Sequence, residues 1–268
     1  MDATKQSVYD FWNEASCGEN LYLQGGEKIS YAEQARLRYE LEPYISDFAA
    51  FGMARDQEVL EIGVGLGADH QRYAEAGARL NGIDLTERAV ESTRHRLRLF
   101  NLQSQVEIGD AEDLVFGDET FDVVYSWGVL HHSPNTHRAV KEVHRVLRKG
   151  GFARVMIYHK WSIVGLMLWL RYALGRLRPF TPLNDVYARY LESPSTKAYS
   201  KSEAKRMFAD FKSTNIETVL THGDLLSSQA GQRHKGLFLN IARVIWPRWF
   251  IKRFFPGNGL FMLITAVK

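Results

Sequence analysis

The chain has 268 residues, 45% of them hydrophobic and 24% charged, with a formal net charge of +3 and a single cysteine, Cys17. These values fit one large α/β domain or two small ones around a sizeable core, and they exclude a disulfide framework or a cysteine-rich zinc site within one chain. The basic excess is too slight by itself to point to nucleic acid, and the most apolar stretch, residues 163–170, is stopped by Arg171 far short of the roughly 20 residues that a bilayer span needs.

Taken in chain order, residues 1–18 carry Asp2, Lys5, Asp10 and Glu14 with no apolar run, so no secretory signal is expected; residues 8–15 read as an amphipathic helix. The sequence ENLYLQG follows, starting at Glu19. It is one residue away from the site of a common tag-removal protease, with Leu23 where that site has Phe. It runs into residues 31–51, which are helix-like, without a compositional break, and is read as native. Strand and helix signals then alternate. Strands are predicted at 59–62, 79–83, 106–108, 121–126 and 152–158, and helices at 68–75, 87–100 and 136–147. The last helix should end at Lys149-Gly150-Gly151, a basic last turn followed by glycine. This alternation predicts a parallel sheet covered by helices on both faces. Two more strands, 216–220 and 260–267, would complete it after long insertions at 160–213 and 224–258. The charged runs 94–100 and 141–151 have helical spacing and read as solvated faces.

VLEIGVGLGADH, residues 59–70, is a strand, a glycine turn and a helix start. Gly63, Gly65 and Gly67 let the backbone approach a ligand closely, and Asp84 after the second strand suits ribose hydroxyls. Either a dinucleotide or another nucleoside cofactor satisfies this pattern. Three further features separate them. Glu61 before the glycines suits a cationic group. Asp110 or Glu112 can accept from an adenine amine while the Ala111 N–H donates to a ring nitrogen. The strand at 121–126 runs into Trp127 and paired histidines.

EIGVGLG, GIDL, GDAEDLVF, FDVVYSWGVLHHSP and EVHRVLRKGG, in this order, resemble the class I S-adenosylmethionine (SAM)-dependent methyltransferases, in particular the subgroup with the ubiquinone and menaquinone enzymes, over residues 55–158. The resemblance implies a Rossmann-like, seven-stranded, mostly parallel sheet whose last strand is antiparallel. It implies SAM as cofactor and S-adenosylhomocysteine as product, held across the carboxyl ends of the first strands. Glu61, Gly63, Gly65 and Gly67 would then line the methionine and ribose region, Asp84 would hold the ribose, and Leu85 would pack on adenine. Asp110, Ala111 and Glu112 would surround the adenine edge, and Trp127 and Gly128 would lie beside the cofactor. The motif common in amino-group methyltransferases of nucleobases is missing, so no nucleic-acid partner is expected.

SAM carries an activated methyl, so the protein must align an acceptor, exclude water and, for a hydroxyl, phenol or activated carbon, take a proton. His131 and His132, after the fourth strand, are the leading candidate bases. His159 at the end of the fifth is another; His222 and His234 are weaker. No metal site is expected from their spacing. Residues 1–50 would form an N-terminal helical lid, with Tyr9, Trp12 and Asn13 closing on the cofactor and Tyr22 edging the acceptor pocket. Residues 51–159 would form the SAM-binding core, 160–213 a helical cap, and 214–268 the end of the sheet, all in one domain. Residues 160–180 and 245–257 interleave Lys and Arg with Trp and Phe. They suit an anionic membrane surface, a greasy acceptor pocket, or a dimer face. The expectation is a cytoplasmic methyltransferase, peripheral to the inner membrane face, monomeric or homodimeric. It would act on a lipophilic or aromatic small molecule, with oxygen or carbon as the leading acceptor atom and nitrogen left open. An NAD(P)-dependent oxidoreductase and a silent SAM-binding scaffold are the competitors.

Overall fold

The computed structural model describes residues 3–228 and 246–268. Asp2, His234 and the first residue of the segment 245–257 lie outside them. Helices α1 (Ala3–Glu14), α2 (Glu19–Tyr22), α3 (Lys28–Leu41) and α4 (Tyr44–Ala49) lead into the sheet. The stretch 31–51, read as one helix, is broken at Pro43: proline disfavours helical backbone in the residue before it and has no N–H to continue the ladder. The alternating part runs β1 (Glu58–Ile62), α5 (Ala68–Glu75), β2 (Arg79–Asp84), α6 (Glu87–Leu99), β3 (Gln105–Ile108), β4 (Phe121–Trp127), α7 (Thr136–Val146) and β5 (Leu147–Tyr158). Helices α8 (Ile163–Tyr172), α9 (Leu183–Tyr190) and α10 (Lys201–Met207) precede β6 (Ser213–Val219); α11 (Arg248–Phe254) precedes β7 (Phe261–Val267).

The seven strands lie in the order β3-β2-β1-β4-β5-β7-β6. Strands β1 to β5 pair in parallel, and β7 inserts antiparallel between β5 and β6. The period of two sorts the central strands between two cores. On one face Leu60, Ile62, Val124, Val155 and Ile157 pack with Val140, Val143 and Val146 of α7. On the other, Val59, Val123 and Tyr125 pack with Ile45 and Ala49 of α4 and with Tyr73 of α5. The strand order reverses between β1 and β4, so the turns after their carboxyl ends open a crevice, the usual ligand position in such sheets.

Two local expectations are corrected. Lys149-Gly150-Gly151 does not end a helix. Helix α7 stops at Val146, and the glycines form a bulged start of β5, where the register slips from Phe121↔Leu147 to Val123↔Phe152. Backbone pairing with the chain end holds the bulge: Gly150 N donates to Lys268 O and Lys268 N to Gly151 O. The run 94–100 is not simply a solvated face either. Arg96 is fully buried, and its guanidinium donates to Gln71, Gln34 and the carbonyls of Leu66 and Tyr31.

Candidate active site

One cavity of about 1040 Å³ runs from the glycine turn, between the N-terminal helices and the sheet, to the underside of α8. It stands at the upper end of the roughly 300–1,000 Å³ typical of ligand pockets. The glycine turn forms one end. Gly63 has φ +84° and packs so closely that an added Cβ would lie 2.0 Å from Val129. Gly65, at φ +52°, instead faces open space within 4 Å of where a Cβ would stand, which is the clearance a nucleoside cofactor requires. Asp84 closes this end: Oδ2 accepts from Gly65 N at 3.2 Å, and Oδ1 from Thr86 N and Oγ1 at 3.0 and 2.9 Å. Leu85 lines the cavity beside it.

Glu61 reaches the same wall in a specific protonation state. Its Oε2 is 2.8 Å from His70 Nδ1, and His70 Nε2 is 2.8 Å from Ser104 Oγ. Ser104 donates its own proton to Leu80 O at 2.7 Å, so its oxygen accepts from Nε2–H. Burial favours the neutral form of both partners, the arrangement in which the Glu61 carboxyl donates to Nδ1. Burial, and then the charge of Asp69, raises its pKa well above the carboxylate range, while burial pushes His70 down to about 3.

At the β3 end, Asp110 and Ala111 line the cavity, but Glu112 does not. Glu112 turns away to accept from Asn135 N at 2.8 Å. Lys5 ties both acids to α1, at 2.5 Å from Asp110 and 3.3 Å from Glu112. The role of Lys5 has no local sequence signal, because the pairing spans more than 100 residues. Trp12 lines the cavity; Tyr9 and Asn13 do not. Asn13 accepts from Arg88 N at 3.2 Å, and Arg88 grips Glu19 at 2.8 and 2.6 Å, so these residues fasten the lid to α6 instead. Cys17, Leu21 and Tyr22, in and beside the ENLYLQG stretch, line the cavity, so that stretch packs as part of the folded unit.

Trp127 and Gly128 line the middle of the cavity at the β4 end. Trp127 stacks on Tyr44 at 6.1 Å and meets Phe261 edge-on at 5.7 Å. Below them the histidines separate. His131 is sealed in, its ring 4.2 Å from that of His132 and 4.1 Å from that of Tyr158, and it does not line the cavity. Burial, then the adjacent His132, pushes its pKa well below the imidazole range. His159 is also withdrawn, bonded through Nδ1 to Gly259 O at 3.1 Å. Only His132 of the three faces the cavity. Its Nδ1 is held by Ser193 and Thr196 at 2.8 and 3.2 Å, and burial pushes it down to about 3. His222 lines the far wall with Nδ1 on Ser228 at 2.7 Å.

The sequence reading missed the acidic residues of this region. Glu42, at the end of α3, and Glu192, beyond α9, both line the cavity, and the Tyr158 hydroxyl donates to Glu192 at 2.5 Å. Arg38 donates to Asp69 at 3.1 and 2.6 Å and more weakly to Glu42 at 3.4 Å. Asp69 also accepts from Tyr39 and Tyr125, which fixes the floor of the site. Among the described residues no cluster of His, Cys, Asp and Glu is arranged to hold a metal ion.

Residues 60–155 match a family model described as a methyltransferase domain. Among curated proteins, the chain is 30% identical over 156 residues to demethylmenaquinone methyltransferase of Tropheryma whipplei (strain Twist), covering 57% of this chain and 64% of that protein. It is 37% identical over 130 residues to phosphatidylethanolamine N-methyltransferase of Cereibacter sphaeroides, covering 48% and 63%. The match thus spans less than two thirds of either relative's length. Among solved structures, geranyl diphosphate C-methyltransferase of Streptomyces coelicolor A3(2) superposes with a TM-score of 0.65 at 15% identity, covering 99% of this chain and 98% of that one. Residues 60–155 thus match a methyltransferase domain, and the sheet that carries them has the fold of that C-methyltransferase structure.

Proposed function

We propose that this chain transfers the methyl group of SAM to oxygen or carbon of a lipophilic small molecule that it takes from a membrane surface. The observation that carries the reading is the continuous cavity, polar at the glycine turn and apolar under the cap, where Val164, Met167, Leu168 and Leu260 line it. When bound, SAM supplies an activated methyl on a sulfonium. The Gly65 clearance, Asp84, Leu85 and the Asp110–Ala111 edge would hold its nucleoside, with Glu61 and Trp127 toward the reacting end. The lid and cap would exclude water. The two relatives named for a quinone and a phospholipid substrate support a lipophilic acceptor.

The outer surface supports the membrane part. Leu177, Phe180 and Trp249 are 90%, 96% and 74% exposed. They lie in segments that contain Arg171, Arg176, Arg178, Arg248, Lys252 and Arg253 and no Asp or Glu. The segments share a rim: Asp224 accepts from Val164 N and from Leu260 N, and Trp246 donates to Asp224 O. Leu170, Arg171 and Gly175 are exposed and also line the cavity, so its cap end meets this basic, apolar face. Among the described residues no helix is long and apolar enough to cross a membrane, which is consistent with docking on the surface.

The test uses methyl-labelled SAM with vesicles of a total membrane-lipid extract, enriched in either phosphatidylglycerol or phosphatidylcholine. Label should enter the organic phase, and faster from the anionic vesicles. Label confined to the aqueous phase would contradict a lipophilic acceptor, and equal rates would contradict the membrane face.

A further inference from the structure

We propose that Glu42, not a histidine, takes the proton released from the acceptor, with the Glu192 carboxylate as a second acid in the same cavity wall. This rests on the proposed methyl transfer to oxygen or carbon. In that reaction the acceptor atom forms a bond to the methyl carbon, and the carbon–sulfur bond breaks with its electron pair kept by sulfur. The acceptor's proton goes to the Glu42 carboxylate and from there to water. Each methyl therefore releases one proton in a water-poor cavity, and a base must stand in the wall.

The other acids of the wall are committed. Glu61 is tied to His70, and Asp69 to Arg38, Tyr39 and Tyr125. Asp84 is held by Gly65 and Thr86, and Asp110 by Lys5. Glu192 already accepts from Tyr158. The Glu42 carboxylate accepts one long bond, 3.4 Å, from an Arg38 whose shorter bonds go to Asp69. The histidines serve less well: His131 and His159 do not reach the cavity, His132 meets Ser193 and Thr196 through Nδ1 and Glu192 through Nε2 at 3.6 Å, and His222 is bonded to Ser228 on the far wall.

The surroundings of Glu42 suit a base working near neutral pH. It faces Arg38 on its own helix, Asp69 of α5, Glu192, Cys17 and Tyr22 of the lid, Tyr44, and Tyr158 of β5. Burial, opposed by Arg38 and reinforced by Asp69 and Glu192, lifts its pKa to about 7. The carboxylate end of α3, where the helix dipole is negative, acts in the same direction.

The vesicle assay tests this when run across pH, with S-adenosylhomocysteine calorimetry as the check on each variant. Wild-type transfer should rise with pH through about 7. Glu42→Gln should lose about 100-fold or more and lose the pH limb, with S-adenosylhomocysteine affinity unchanged; Glu42→Asp should restore part of the rate. Glu192→Gln should move the limb to lower pH, because one repelling charge is gone. In 13C-glutamate-labelled protein, a carboxyl resonance titrating near 7 should disappear in Glu42→Gln. A Glu42→Gln variant with wild-type rate and limb, or a limb abolished by His132→Gln, would overturn the inference and leave methyl transfer standing. A wild type that transfers no label would overturn both.

Discussion

Arg96 is a cation whose partners are all neutral: two glutamines and two backbone carbonyls. It ties the glycine turn, through Leu66 O, to α3 and α5, which sets where Gly65 stands relative to the cavity. Burial without a counter-ion pulls its pKa down to about 10, yet it stays charged at neutral pH. Arg96→Met should therefore destabilise the fold by about 3 kcal/mol, since several buried acceptors lose their donor at once. A denaturant titration checks this; a midpoint shift worth under about 0.5 kcal/mol would mean that the network is dispensable. In the sequence Arg96 is one basic residue in a charged helical run, and nothing local distinguishes it from Arg94 or Arg98. The same difficulty hid Glu42 and Glu192. A histidine pair after a strand is a visible motif, whereas a carboxylate becomes a candidate base only when the tertiary fold desolvates it.

At the scale of elements, β1 to β4 and α5 to α7 were legible to within a residue or two, because their apolar patterns are local and α6 and α7 open on the capping side chains of Thr86 and Asn135. The bulge at Gly150 was not, since the backbone of Lys268 creates it. The helix expected at 8–15 was legible, although it begins at Ala3, but its contacts were not. Helix α1 is fastened by Lys5 to Asp110 and Glu112, and the following turn by Glu19 to Arg88. Removal of residues 1–26 takes away these clamps and one wall of the cavity while leaving every strand in place. S-adenosylhomocysteine affinity should then fall by at least about tenfold, with cooperative unfolding retained. Unchanged affinity in calorimetry would show that these helices are not a lid.

For the whole molecule, seven strands with β7 antiparallel between β5 and β6 put the glycine turn, Asp84, Asp110 and Trp127 at one rim, facing the cap. The motifs that mark that rim are contiguous in sequence, so its place in the fold could be read from residues alone. The rest of the cavity wall draws on Trp12, Glu42, Met167, Glu192, His222 and Phe261, far apart in the chain, and its shape exists only in the fold. The central claim is that this rim binds SAM and its product and not a nicotinamide dinucleotide. Titration calorimetry with S-adenosylhomocysteine and, separately, with NADH tests it most directly. Saturable binding of S-adenosylhomocysteine, lost in Asp84→Ala and absent with NADH, is the predicted result; binding of NADH without S-adenosylhomocysteine would contradict it.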